Sequence, residues 1–213
     1  MENVFICSHS FLKDALTRMR MKDTAPAEFR ELSRRAAALI AMEALANAPL
    51  VDVEIETPVA KTVQPVLKCN DPVIVPILRA GVGMLEGISS FIPNASIGLL
   101  GMERDEDTHQ AHSYYCKLPG SITTAPVIMV DPMLATGGTA VDCISLLKER
   151  GATDIRFLCF VAAPEGVRRL HEVHPDVPIY AGALDDCLND AAYIVPGLGD
   201  AGDRIFGTLQ AIR

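Results

Sequence analysis

Apolar and polar positions along this chain follow two patterns, and the change between them marks the organisation of the fold. In the first fifty residues apolar positions recur every three or four residues: Phe29, Leu32, Ala36, Leu39, Ile40 and Ala44 share one helical face. The pattern predicts helices over 10–22 and 24–48, the second with Thr24 as N-cap and Pro26 in its first turn. Residues 51–57 alternate instead, Val51, Val53 and Ile55 against Asp52, Glu54 and Glu56, as in a half-exposed strand with 62–67 as its partner. Short, nearly continuous apolar runs follow: Val73–Leu78, 95–100, Val127–Val130, Ile155–Ala162 and 177–183. Helical stretches at 82–91, 138–150 and 164–174 lie between most of them. Strands buried on both faces and alternating with helices predict an α/β fold, a central parallel sheet flanked by helices. We read 1–213 as a single domain with a small β-rich hood drawn from about 51–67 and 178–213. The early helices and the 51–67 hairpin are expected to cover the site and to form an interface. The stretch 102–120 is polar and charged, with Tyr114 and Tyr115, and reads as a long excursion leaving the sheet; such loops in compact domains are usually functional.

Composition narrows the function classes. The 213 residues carry a net charge of −8, with 19 basic against 27 acidic side chains. A basic stripe for nucleic acid is not expected, and an anionic ligand would need local donors. The N-terminus has no basic region of a signal peptide, and the apolar helix over 36–50 is interrupted by Glu43, so no membrane segment is expected. None of the six cysteines form a C-x-x-C pair, and four sit among apolar neighbours as small buried residues. The expectation is a reduced, cytoplasmic protein.

In an open α/β sheet, ligands sit at the carboxyl ends of the strands. After the run Val127–Val130 comes Asp131-Pro132-Met133-Leu134-Ala135-Thr136-Gly137-Gly138-Thr139, then a helix. The glycines allow a tight turn that presents several N–H groups to one point, and the helix N-terminus adds its partial positive charge. Thr136 and Thr139 add hydroxyls. This is a socket for one phosphate, with Asp131 suited to a sugar diol. No lysine follows the glycines, so it is not a nucleoside triphosphatase loop. Gly197-Leu198-Gly199-Asp200-Ala201-Gly202 fits the dinucleotide G-x-G-x-x-G, but that fingerprint needs a following helix and an acidic residue about 20 positions on, and the sequence ends at Arg213, so dinucleotide binding is not expected. Close backbone approach to a flat ligand is a better reason for these glycines.

Three separated segments, in order, resemble uracil phosphoribosyltransferases. They are Val75-Pro76-Ile77-Leu78-Arg79-Ala80-Gly81-Val82-Gly83-Met84, Val130-Asp131-Pro132 through Thr139, and Tyr193-Ile194-Val195-Pro196-Gly197 through Asp203. Phe29-Arg30-Glu31-Leu32 and Ala163-Pro164-Glu165-Gly166 are weaker echoes. Most phosphoribosyltransferases resemble one another in two adjacent acids before the T-G loop; here Pro132 follows Asp131, as in the uracil enzymes. The resemblance implies transfer of 5-phosphoribose from phosphoribosyl pyrophosphate (PRPP) to uracil, giving UMP and pyrophosphate. It implies PRPP contacts from Arg79, Ala80, Gly81, Arg104, Asp131, Pro132, Met133, Leu134, Ala135, Thr136, Gly137, Gly138, Thr139 and Asp200. Asp131, Arg104 and Asp200 are the residues assigned to the chemistry. Mg²⁺ is expected to arrive with PRPP rather than on direct protein ligands. The resemblance also implies a homodimer or higher homo-oligomer and admits an allosteric nucleotide such as GTP. Uracil presents acceptor, donor and acceptor along O2, N3–H and O4, a pattern that a backbone loop can read; Ile194, Gly199, Asp200 and Ala201 are its expected readers.

Some residues depart from the pattern. Family members resemble one another in a tyrosine where Glu103 stands, and in an apolar residue and a proline where this chain has His109 and Gln110. Adjacent strand residues face opposite sides, so Glu103 is expected to point away from Arg104. His109/His112 and His171/His174 lack a third ligand at zinc spacing and are assigned structural or surface roles. Glu165 reads as a helix first-turn acid, and Arg34 and Arg35 as surface or subunit contacts. A competing reading keeps the fold as a non-catalytic binder of UMP or PRPP that controls RNA, which the charge of −8 disfavours.

Overall fold

The computed structural model describes residues 3–68, 71–104 and 111–208, with the backbone alone at 103–104 and 111–112. The elements in order are β1 (Val4–Ile6), α1 (Ser10–Arg20), α2 (Pro26–Leu45), β2 (Leu50–Glu56), β3 (Lys61–Leu67), β4 (Val73–Leu78), α3 (Val82–Phe91), β5 (Ser96–Ile97), β6 (Leu99–Arg104) and β7 (Ala111–Lys117). They continue with β8 (Val127–Val130), β9 (Met133–Leu134), α4 (Gly138–Glu149), β10 (Ile155–Ala162), α5 (Pro164–Val173), β11 (Ile179–Leu184), β12 (Cys187–Leu188), β13 (Ile194–Val195) and α6 (Ala201–Phe206).

The central sheet runs β1-β11-β10-β8-β4-β6-β7, with β5 on β4 and β9 on β10, and it is parallel except for the β6–β7 pair. Its strands are buried on both faces, which explains their continuous apolar runs. Side chains alternate between two cores. Ile74, Ile128, Leu158 and Phe160 pack with α1, α2 and α3, whereas Val75, Met129, Phe157 and Cys159 pack with α4 and α5. Phe29, Ala36, Ile40 and Ala44 put α2 directly into the first core. The early helices are therefore a core layer, not a cover.

Several sequence expectations change. Thr24 does not cap α2; its hydroxyl donates to the Arg18 carbonyl at 2.5 Å, and Ala25 holds the N-cap position with no side-chain bond. Much of the described part of the excursion belongs to the sheet: β6 extends to Arg104 and β7 (Ala111–Lys117) pairs antiparallel with it, with a bulge at Gly101/Met102; residues 105–110 lie outside the described residues. The part of the expected hood at Ile179–Leu184 lies inside the central sheet as β11, between β1 and β10. Two separate two-stranded sheets remain outside it, β12–β13 and the β2–β3 ribbon. The root of the β2–β3 ribbon lies away from the carboxyl ends of the strands. Pro49 and Leu67 at its root line a cavity of about 300 Å³ with Pro72 and Pro126, which precede β4 and β8, at the amino ends of the strands. Cys7, Cys143 and Cys159 are buried and unpaired, and Cys116 is half-buried. Among the described residues, no helix is long and apolar enough to cross a membrane.

Candidate active site

Topology selects the place for a ligand. From β4 the chain crosses through α3 to β6 on one side, then returns to place β8, β10 and β11 on the other. The order reverses between β4 and β8, and the crevice outside their carboxyl ends is the switch point where ligands bind in open α/β sheets.

The loop after β8 is fastened along β10. Met133 and Leu134 form β9 against Val161 and Ala162. The Pro132 carbonyl accepts from Phe160 N–H at 2.9 Å, and the Leu134 carbonyl from Ala163 N–H at 2.9 Å. Gly137 then takes φ +80 at the N-cap of α4, a left-handed turn that a side chain would strain. The result is a cavity of about 90 Å³ lined by Asp131, Met133, Leu134, Ala135, Thr136, Gly137, Thr139 and Ala140. It is far smaller than a typical drug-sized pocket of about 300–1,000 Å³ and suits a single phosphate at a helix N-terminus. Pro132 and Gly138, expected as ligand residues, do not line it; Pro132 is buried and serves the loop's attachment. A wider groove of about 470 Å³ runs along the β2–β3 ribbon, with neither a strand end of the central sheet nor a helix N-terminus in its lining.

Asp131 lies at the cavity edge, where the Met133 N–H bonds its carboxylate. Burial pushes its pKa up to about 7, and that single hydrogen bond offsets only part of the shift. A carboxylate held this way accepts strongly from hydroxyl donors once ionised.

After β4, Arg79, Ala80 and Gly81 turn into α3, with Gly81 N–H bonded to Ile77 O at 2.9 Å. A Cβ at Gly81 would sit 2.5 Å from Val130 O, so this turn and the end of β8 touch backbone to backbone. The Arg79 guanidinium lies 5.7 Å from the centre of the Phe206 ring in α6. A Cβ at Gly202 would come within 3.6 Å of the Ala80 Cβ. The turn after β4 thus meets the end of β8 on one side and the segment 200–206 on the other.

That segment follows an irregular loop. Val195–Pro196 is cis, and Gly197 and Gly199 have φ +62 and +76. Ile194 and Ala201 are buried, whereas Gly199 and Asp200 are exposed. Asp200 caps α6 by accepting from Asp203 N–H at 2.8 Å. Among the described residues, the Gly199 carbonyl and the Ala201 N–H take no hydrogen-bond partner. Backbone groups left open in this way serve water or a ligand.

Arg104 ends β6, the neighbour of β4, opposite Ala111. Its side chain and that of Glu103 lie outside the described residues, as do His109 and Gln110, so the expected alternation of Glu103 and Arg104 falls outside them too. His174 is buried and structural: its ring contacts Ser145 Oγ at 3.0 Å and Val141 O at 3.1 Å on α4. Arg34 and Arg35 both pair with Glu31. Glu165 stands in the first turn of α5 and accepts from Leu188 N–H at 3.4 Å.

The sequence missed three residues at the back of the loop, Arg20, Asp185 and Arg204. Asp185 follows the carboxyl end of β11, where the strand-end rule applies; the expected run 177–183 stops one residue before the strand does. No local pattern points to Arg20 or Arg204.

Comparison with known proteins agrees with the geometry. The sequence model of the uracil phosphoribosyltransferase family matches residues 6–208. The chain is 53% identical to the uracil phosphoribosyltransferase of Streptococcus equi subsp. zooepidemicus, over 95% of this chain and 97% of that one. It is 51% identical to the protein of that name from Agathobacter rectalis, over 98% and 100%. Among solved structures, a protein of Aquifex aeolicus superposes with a TM-score of 0.90 at 35% identity, covering 98% of this chain and 100% of that one. The adenine phosphoribosyltransferase of Trypanosoma brucei shares the fold at a TM-score of 0.60 and 14% identity, covering 90% and 88%. On these matches and the switch-point site together, this chain belongs to the uracil phosphoribosyltransferase family.

Proposed function

We propose that the chain transfers the 5-phosphoribosyl group of PRPP to N1 of uracil, giving UMP and pyrophosphate. The observation that carries this reading is the meeting of three segments at one switch point: a phosphate-sized cavity, an arginine-bearing turn and a loop with open backbone groups. The cavity takes the 5′-phosphate through loop N–H groups and the hydroxyls of Thr136 and Thr139. Asp131 accepts from the ribose hydroxyls. Arg79, with Arg104 from β6, stabilises the departing pyrophosphate. As the C1–O bond breaks, positive charge spreads over C1 and the ring oxygen; N1 of uracil closes the new bond and its proton leaves to water. Ile194, Gly199, Asp200 and Ala201 read the base edge. Cytosine presents the opposite polarity at N3 and N4, so binding it would leave buried groups unpaired. Discrimination of that kind reaches roughly 10⁴-fold.

Magnesium fits this site as an ion carried by the substrate. Mg²⁺ keeps several waters and binds through phosphate oxygens with one or two carboxylates. Asp131 and Asp200, on the two sides of the crevice, are the carboxylates that would meet its water shell. When bound, the ion neutralises charge on the leaving pyrophosphate.

We place a homo-oligomer contact on the β2–β3 ribbon. Leu50, Val51, Ile55, Val63, Val66 and Leu67 are all exposed there, and an isolated two-stranded ribbon is marginal in water without a packed face. A cytoplasmic enzyme suits the unpaired cysteines.

Incubation of the protein with uracil, PRPP and Mg²⁺ tests the reading. UMP and pyrophosphate should form in equal amounts, with Arg104→Ala losing most of the rate; absence of UMP from the unmodified protein would refute it.

A further inference from the structure

The loop that offers open backbone groups to the base belongs to no sheet of more than two strands, and two of its glycines hold positive φ. Something else must fix it, because a misplacement of about 1 Å is enough to weaken recognition or catalysis greatly. The structure supplies a clamp behind it. Asp185, with its side chain only 5% exposed, accepts from the Gly197 N–H at 2.9 Å. Arg20, at the end of α1, bonds both oxygens of that carboxylate, at 2.7 and 2.6 Å, and also the Gly197 carbonyl at 2.7 Å. One ion pair therefore holds both polar groups of a single loop residue. Two planar groups joined in this forked way leave little freedom of rotation.

Arg204 holds the next residue. Its guanidinium donates to Leu198 O at 2.8 Å, to Met21 O at 2.5 Å and to Met19 O. It stacks on Phe29, 4.5 Å from the ring centre. Arg204 has no carboxylate partner among the described residues; carbonyl oxygens and an aromatic face compensate its burial. The two arginines tie Gly197 and Leu198 to the C-terminal end of α1. Gly199, the first residue with an open carbonyl, comes directly after them.

We propose that Arg20, Asp185 and Arg204 are positioning residues for base recognition, holding Gly197 and Leu198 so that Gly199 to Ala201 meet the base in one register. None of the three belongs to the phosphate cavity or to the turn after β4. The proposal rests on the uracil transfer argued above and assigns to these residues the choice of base, not the capture of PRPP.

Kinetics of Asp185→Asn, Arg20→Met, Arg20→Lys and the Asp185→Asn/Arg20→Met double variant separate the outcomes. Asp185→Asn turns one acceptor into a donor facing the Arg20 donors. It should raise KM for uracil at least tenfold and raise cytosine turnover relative to uracil, with a clearly smaller rise in KM for PRPP through Asp200. Arg20→Lys keeps the charge without the fork and should fall between the unmodified protein and Arg20→Met. The double variant should be little worse than the worse single variant. Unchanged KM for uracil and base choice would overturn the proposal. So would equal rises in both KM values alongside a lowered melting temperature, which mark general loosening. Failure of the unmodified protein to use uracil would refute the function itself, and this assignment with it.

Discussion

Gly166, in the first turn of α5, lies against the backbone of Leu134 in the phosphate loop: a Cβ at position 166 would stand 2.7 Å from the Leu134 carbonyl oxygen. The same oxygen accepts from the N–H of Ala163, the N-cap residue of α5, so the loop cannot move away without losing that bond. The closeness of α5 thereby sets the shape of the cavity. Gly166→Ala should displace the loop at an overpacking cost of about 1–3 kcal/mol. KM for PRPP should rise about five- to a hundredfold, while base choice remains that of the unmodified protein. Initial rates over a PRPP series at saturating uracil would show it, and an unchanged KM for PRPP would remove Gly166 from this role.

Gly81 and Gly83 make an internal contrast. A Cβ at Gly81 meets backbone, with Val130 O at 2.5 Å and Ile77 O at 2.7 Å. At Gly83 the nearest atom is the Cδ1 end of Ile205, at 2.6 Å, a side-chain tip rather than backbone. Gly81→Ala should cost about 1–3 kcal/mol and most of the activity, and Gly83→Ala less than about 1 kcal/mol. Thermal unfolding of the two variants side by side checks the order, and equal losses would contradict it.

Asp131 links function to pH. Burial raises its pKa to about 7 from the unperturbed 3.8. An acid with a raised folded-state pKa binds its proton more tightly in the folded chain, so between pH 4 and 7 stability declines as pH rises. Asp131→Asn removes this penalty. At pH 8 the variant should melt at least about 2–4 °C higher, as about 1 kcal/mol does in a chain of this size, while losing turnover. In the unmodified protein PRPP binding should weaken as pH falls below about 7, because a protonated Asp131 accepts less well from the ribose. Calorimetric titration of PRPP from pH 5.5 to 8.5 tests this against Asp131→Asn, whose profile should be flatter; matching profiles would dismiss Asp131 as the titrating group.

The ribbon predicts a change in assembly. Asp in place of Val63 and Val66 would be nearly neutral on a solvated surface, since both are exposed within the chain. On a self-association surface the pair should shift the protein toward monomer. Sedimentation velocity at two concentrations distinguishes these cases, and an unaltered oligomer would place the contact elsewhere.

What the sequence revealed depended on how much of each element is buried. β8 and β10 match their expected limits, Val127–Val130 and Ile155–Ala162, because both faces are covered and the apolar run has sharp ends. β1 was missed because it is only three residues on the edge of the sheet. β7 carries Ser113, Tyr114 and Tyr115 on an edge strand and so resembles a polar loop. The turn after β8 was legible since its residues are consecutive, with Gly137 at φ +80 and α4 beginning at Gly138 as the glycines suggest. The clamp was not: Arg20 and Asp185 are 165 positions apart, and only the docking of α1 beside β11 brings them together.

The central claim is that this crevice joins phosphoribose to one base, chosen by a backbone loop. The most direct test is the initial rate of nucleotide formation from PRPP and Mg²⁺ with uracil, cytosine, orotate and hypoxanthine in parallel. The account predicts UMP from uracil, with the other bases slower by roughly 10⁴-fold where a buried polar mismatch results. Comparable rates with uracil and cytosine would contradict it.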